Sequence, residues 1–232
     1  MYGAESVISE VEIYVLNLDR RPDRLKRLES ALTSRNLKFN RVVAVDGSTE
    51  PAVESEMELL TPGERAIWSS HQKALSDFLK SESKHALILE DDAHLANSPI
   101  SSESLSKWLS AMEKLSLSML QVGFISQLYK LSKPRGLLDL ALAFRANRIV
   151  HQRSLATRIV LGEFRAGAHA YIVNRPLAKE LVGANIPTVL AADNFFESLA
   201  RQDSNNRFGR LFTSAIEQES RVHGSKALDS DA

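Results

Sequence analysis

The sequence predicts an α/β layer fold with a mainly parallel sheet flanked by helices, and three observations support this. Runs rich in apolar and β-branched residues, at Val11–Leu18, Phe39–Val45 and Ala86–Leu89, each stop at a charged turn. Segments with apolar residues at helical spacing alternate with these runs. Strands separated by a helix pair in parallel through a right-handed crossover. At 232 residues the chain reads as a single domain, 1–228, with a flexible tail at 229–232.

The first unit is strand, turn and helix. Val11–Leu18 ends at Asp19-Arg20-Arg21-Pro22-Asp23, Pro22 suits a first helical turn, and Asp19 or Asp23 is the expected cap. Leu25, Leu28, Ala31 and Leu32 give the helix its buried stripe. The second strand, Phe39–Val45, closes on the turn Asp46-Gly47-Ser48. Thr49 to Leu60 carries Glu50, Glu54, Glu56 and Glu58 without a base and reads as a surface excursion.

Thr61-Pro62-Gly63-Glu64 is a capping box, predicting a helix to about Lys80. Ala86–Leu89 then forms the central strand, ending at Glu90-Asp91-Asp92. A helix over 102–115, strands at 120–125 and 168–173, and helices at 176–182 and 192–200 complete the reading. Ligands of such sheets sit at the carboxyl ends of the strands, where these charged turns gather.

Composition narrows the function. The 29 Lys and Arg balance 29 Asp and Glu, so no net field draws in nucleic acid, which is not an expected partner. The absence of cysteine removes thiolate metal sites, iron–sulfur clusters and cysteine nucleophiles. No apolar run approaches the ~20 residues of a spanning helix, and Met1–Glu10 lacks the basic start and apolar middle of a secretory signal. The expected location is cytoplasmic, with peripheral contact at the inner membrane.

Three adjacent carboxylates repel strongly: two unit charges ~4 Å apart cost about 4 kcal/mol at an effective dielectric of ~20. A divalent cation removes that cost, and oxygen ligands suit Mn²⁺ or Mg²⁺, which can then hold a diphosphate. On an extended chain Glu90 and Asp92 share a face and Asp91 points away. A solvated acidic turn is the plain alternative.

Several blocks together resemble glycosyltransferase family 25. They are IYVLNLDRRPDR (13–24), VAVDG (43–47), LTPGERAIWSSH (60–71), ALILEDD (86–92), GAHAYIV (167–173), ADNF (192–195) and AIEQ (215–218). The resemblance implies a GT-A-like, nucleotide-binding sheet. It also implies inverting transfer of a hexose, galactose or glucose, from a UDP-sugar to a glycan or glycolipid acceptor, in lipopolysaccharide or other surface-glycan synthesis. By the same resemblance Asp92 and Glu90 are the expected metal ligands. Asn17, Arg21, Arg24, Asp46, His71 and Asp91 are the expected donor-binding residues, with Arg20 beside them. Asp193 is the expected base or a substrate-orienting carboxylate, with capping of the helix that follows it as the plain alternative; Glu217 is a weaker rival for either job. His94 lies near Asp92 and is weighed as a further ligand.

The chain departs from the family pattern at Ala66-Ile67-Trp68-Ser69, where a glycine and a cysteine are usual, and at Ala168-His169-Ala170, where a second glycine is usual. Trp68 either reshapes a pocket or fills the core. A relative that binds sugar nucleotides without turnover is therefore the alternative function. A response-regulator receiver shares the acid-ended strand, but it begins with that strand, whereas here about 85 residues precede it. Lys133–Arg165 holds seven basic residues against two acids, which suits phosphorylated oligosaccharide or anionic headgroups or, more plainly, a solvated helix face.

Overall fold

The computed structural model describes residues 10–49, 60–125, 149–150, 158–183, 190–205 and 207–219. The acidic run Glu50–Glu58, most of the basic stretch and everything after 219 lie outside the described residues. Strand β1 (Val11–Asn17) leads to α1 (Pro22–Thr33), β2 (Asn40–Val43), α2 (Pro62–Lys80), β3 (His85–Glu90), the short β4 (Ala93–His94) and α3 (Ser102–Lys114). The order continues with β5 (Met119–Gly123), β6 (Ile149–Val150), β7 (Ile159–Leu161), β8 (Ala170–Asn174), α4 (Arg175–Gly183), α5 (Ala192–Gln202), β9 (Phe208–Leu211) and β10 (Glu217–Gln218).

Among the described residues the main sheet has eight strands, in the order β2-β1-β3-β8-β5-β9-β7-β6. The expected parallel pairing holds for β1 with β2 and β3, and for β5 with β9. Strand β8 runs against both neighbours, and β7 pairs antiparallel with β9 and β6, so the sheet as a whole is mixed. Antiparallel partners need no crossover helix, which lets short strands such as β7 fill this side. Strands β6, β7, β9, β4 and β10 have two to four residues, too few for periodicity in the sequence to reveal.

Both faces of the sheet are covered, which explains the continuous apolar run of β3. Leu87 and Leu89 face α1 and α3 through Leu28, Leu32, Trp108 and Met112. Ala86 and Ile88 face α2, α4 and α5 through Leu75, Phe78, Leu177 and Phe196. Each large apolar side chain buried this way contributes about 1.5–3 kcal/mol.

The capping box forms: Thr61 Oγ1 accepts the Glu64 N–H at 3.2 Å, and Glu64 Oε2 accepts the Thr61 N–H at 2.8 Å. At the other end of α2, Arg175 donates to the carbonyls of Leu79, Ser81 and Ser83, tying that end to α4. α1 departs from expectation, because its N-cap is Arg21 and no side chain caps it. Asp19 pairs with Arg41, and Asp23 pairs with Arg21. Trp68 fills the core, at 1% exposure, with its ring 5.0 Å from that of Phe195 and 5.5 Å from that of Phe196.

Candidate active site

A cavity of about 400 Å³ opens at the carboxyl ends of β1, β2 and β3. Its floor carries Glu90, Asp91 and Asp92. One side carries Arg20 and Arg24, and another carries Asp46, Gly47, Gly63 and Ile67. Of the residues singled out from sequence, Arg20, Arg24, Asp46, His71, Glu90, Asp91 and Asp92 all line it. Gly47 is where the turn after β2 meets α2. A Cβ there would lie 2.6 Å from Gly63 Cα, so only glycine permits the contact that closes this wall.

Each acid is held differently. Asp91 is 7% exposed, accepts from Asn17 Nδ2 at 2.8 Å and pairs with Arg24 Nη1 at 3.2 Å. Asn17 is itself fully buried, because Nδ2 also reaches the Arg21 carbonyl and Oδ1 accepts from Arg41. Its amide is thereby committed to protein partners, and it bears on the cavity through Asp91.

Glu90 accepts from His71 Nε2 at 3.2 Å, and His71 Nδ1 lies 3.1 Å from the Tyr171 hydroxyl. Burial holds Tyr171 well above its ordinary range, so its hydroxyl stays protonated and donates to Nδ1. The ring then presents Nε2–H to Glu90, satisfying all three groups. Burial pushes Glu90 up, but the hydrogen bond from His71 and the electrostatic effects of His71 and His169 together outweigh it, and the carboxyl sits below its usual range.

Asp92 accepts from Gln218 Nε2 at 2.7 Å through Oδ2, while Oδ1 is buried without a partner. Burial first, and then the charge of Glu90, push its carboxyl up to about 7. Asp46 lies on the opposite wall, held below the ordinary range by hydrogen bonds from Ser48 and then by Arg20, whose Nε lies 2.8 Å away.

No group of three or more His, Asp or Glu side chains arranged to hold a metal ion occurs among the described residues. The pair Glu90 and Asp92 nonetheless fits a hard cation. Mg²⁺-like ions take one or two carboxylates, with substrate phosphates and water completing the shell. The unsatisfied Asp92 Oδ1 is the kind of buried acceptor that such an ion relieves.

Other expected residues lie elsewhere. Arg21 pairs with Asp23. His94 Nδ1 lies 3.0 Å from Glu219 Oε1. His169 is fully buried and kept neutral by burial, and its Nε2–H donates to the Ile216 carbonyl. It fits because Gly123 and Gly167 leave it room: a Cβ on either would come within 3.0 Å of its ring. Asp193 is outside the cavity lining and is not the N-cap of α5, which is Ala191. Its oxygens accept the backbone N–H groups of Gly167 and Asn194.

The reading from sequence missed the contribution of β10. It pairs antiparallel with β4, and the Glu219 N–H donates to the Asp92 carbonyl. Glu219 also pairs with Arg27 at 2.9 Å, tying β10 to α1. The AIEQ block was its only signal. Among the described residues no helix is long and apolar enough to cross a membrane.

No curated protein matches the chain in sequence. The family model described as Glycosyltransferase family 25 (LPS biosynthesis protein) matches residues 10–196, which include β1 with its charged turn, the acidic floor and the first turn of α5. On that match, and with the quoted blocks gathered largely around one cavity, the chain belongs to glycosyltransferase family 25.

Proposed function

We propose that the protein is a cation-dependent, inverting hexosyltransferase that moves galactose or glucose from a UDP-sugar onto a glycan or glycolipid acceptor. We place it in the cytoplasm, at the membrane surface where a glycolipid acceptor is met. One observation carries this reading: the cavity joins two guanidinium groups, Arg20 and Arg24, to a pair of carboxylates of which one oxygen is buried and unsatisfied. Such a site accepts a diphosphate only with a cation between the acids and the phosphates.

In this reading Glu90 and Asp92 hold Mn²⁺ or Mg²⁺, which when bound supplies positive charge at the departing diphosphate. Arg20 and Arg24 add charge on the other side, with forked donors suited to phosphate oxygens. Asn17 and Arg24 keep Asp91 oriented, and the His71–Tyr171 pair does the same for Glu90. Leu16, Leu18, Val45 and Ile67 supply apolar surface for the nucleobase. Inversion needs an acceptor hydroxyl attacking in line and a carboxylate to take its proton. Asp193 is proposed for that role on family resemblance, and the role requires its contact with Gly167 to open when the acceptor arrives.

The test is thermal stability with UDP-galactose or UDP-glucose, with and without Mn²⁺, followed by UDP release in the presence of glycan acceptors. A bound ligand raises the melting temperature by mass action. The expected shift needs Mn²⁺ and disappears in Asp92→Ala. A wild type that binds no nucleotide ends the proposal. One that binds but never releases UDP, with any acceptor, is a non-catalytic relative instead.

A further inference from the structure

A second cavity, of about 290 Å³, has no place in the reading so far. Strand β9 runs parallel to β5, and β8 runs against both β5 and β3, so the carboxyl ends of β3 and β9 lie on the same edge of the sheet. The first cavity gathers at the end of β3. The second gathers past the end of β9, where Leu211, Thr213 and Ser214 line it. The β4–β10 ribbon serves both: Asp92 and Gln218 border the first, while His94 and Glu217, paired across the ribbon, border the second.

Charge separates the two cavities. The first mixes two arginines with four acids. No lysine or arginine is among the described residues lining the second, which would leave a diphosphate without a partner. Its polar side chains are those of His94, Asn97, Ser98, Thr213, Ser214 and Glu217, of which the Ser214 hydroxyl is already engaged by the Phe124 N–H and the Ile216 carbonyl. Among the described residues the Glu217 carboxylate makes no hydrogen bond or ion pair, while its backbone pairs with His94 in the ribbon. A carboxylate accepts two neighbouring hydroxyl protons at once, and side-chain amides and hydroxyls both donate and accept. Pro99, Leu211 and Ala215 add apolar surface against which the C–H face of a sugar ring can lie. The volume is at the small end of the ~300–1,000 Å³ of small-molecule sites, which suits one or two rings.

We propose that this cleft seats an uncharged hexose unit of the acceptor glycan, whose reacting end crosses the β4–β10 ribbon into the first cavity. The assignment of the ligand as acceptor rests on the transferase reading; the site itself is tested without nucleotide. The probes are methyl β-galactoside, methyl β-glucoside and lactose, observed by saturation-transfer difference NMR on the full chain.

At least one probe should receive saturation from the wild type, undiminished when UDP and Mn²⁺ are added at saturating levels. The signal should fall at least fivefold in Thr213→Trp, and likewise in Asn97→Trp at an exposed position, with UDP binding unchanged in both. The second variant keeps the test valid if the first fails to fold. The proposal is overturned if no probe is saturated, if UDP displaces the probe, or if a folded tryptophan variant keeps the signal. Failure of the transferase reading shows separately, as absence of UDP binding to the wild type.

Discussion

Gln218 Nε2 donates to Asp92 Oδ2 at 2.7 Å, joining residues 126 positions apart and fixing the carboxylate that faces the cavity. Partners that orient a metal-binding group typically contribute 10–100-fold to affinity or activity. Gln218→Leu should therefore lower Mn²⁺ affinity and the rate of UDP release by about that factor, with the fold retained. Titrating Mn²⁺ against melting temperature measures the first effect. Unchanged affinity and rate together would make the bond incidental.

Asp92 sets a pH dependence. Its carboxyl rises from the ordinary 3.8 to about 7 in the folded chain, so the folded state binds the extra proton between those values. Its contribution to stability is fully present below about 4 and declines as pH rises through about 7, by at most roughly 4 kcal/mol. Without divalent ions, Asp92→Asn should be more stable than the wild type at pH 8, and the gap should close toward pH 4. Denaturant unfolding at several pH values measures this, and a gap that does not change with pH would refute it.

Tyr171 and His71 form a buried pair beneath Glu90. Tyr171→Phe removes the hydroxyl and leaves His71 Nδ1 without its donor in a dry site. The expected loss is about 1–3 kcal/mol of stability, read as a lower midpoint in urea with an unchanged slope. A midpoint equal to that of the wild type would show that the hydroxyl is not needed.

The two glycines of the cavity wall should respond unequally. A methyl group on Gly47 meets the Gly63 backbone at 2.6 Å, whereas one on Gly63 meets nothing nearer than Thr61 Oγ1 at 3.9 Å. Gly47→Ala should cost about 1–3 kcal/mol and weaken UDP binding, because backbone rather than a side chain must move. Gly63→Ala should be neutral or stabilising, by up to about 1 kcal/mol, since alanine suits a helix better. Thermal melts of both variants decide this, and equal losses would contradict the asymmetry.

Asp193→Asn separates two roles. If Asp193 takes the acceptor's proton, UDP affinity is retained and transfer falls by about 10²-fold or more, as is typical when a general base is lost. That is the expected result. Unaltered transfer would leave Asp193 as a brace for Gly167 and end its candidacy as base.

The long elements were legible because their signals are local. The Thr61–Glu64 box gave the start of α2 directly, and the apolar run of β3 marked a strand buried on both faces. The acidic floor was legible for the same reason, since three acids end a strand whose position in the sheet follows from its composition. The sequence assigns Asn17 to donor binding, and no local pattern shows that Arg41 and Asp91, 24 and 74 positions away, occupy its amide. Strand β10 and Gln218 were missed as part of the site for a related reason: two paired residues have no periodicity, and their importance comes from a partner near the middle of the chain. His169 illustrates a departure whose compensation, at Gly123, lies 46 positions away.

The placement of β10 also has a consequence in time. The family match ends at residue 196, with all three acids already synthesised, but the strand that grips Asp92 lies at 217–218. On the ribosome, the growing polypeptide carries the acids through more than a hundred further residues before their last clamp emerges. The machinery for sugar transfer is thus assembled late in translation, and a product cut short before that strand has the acids without the grip that aligns them.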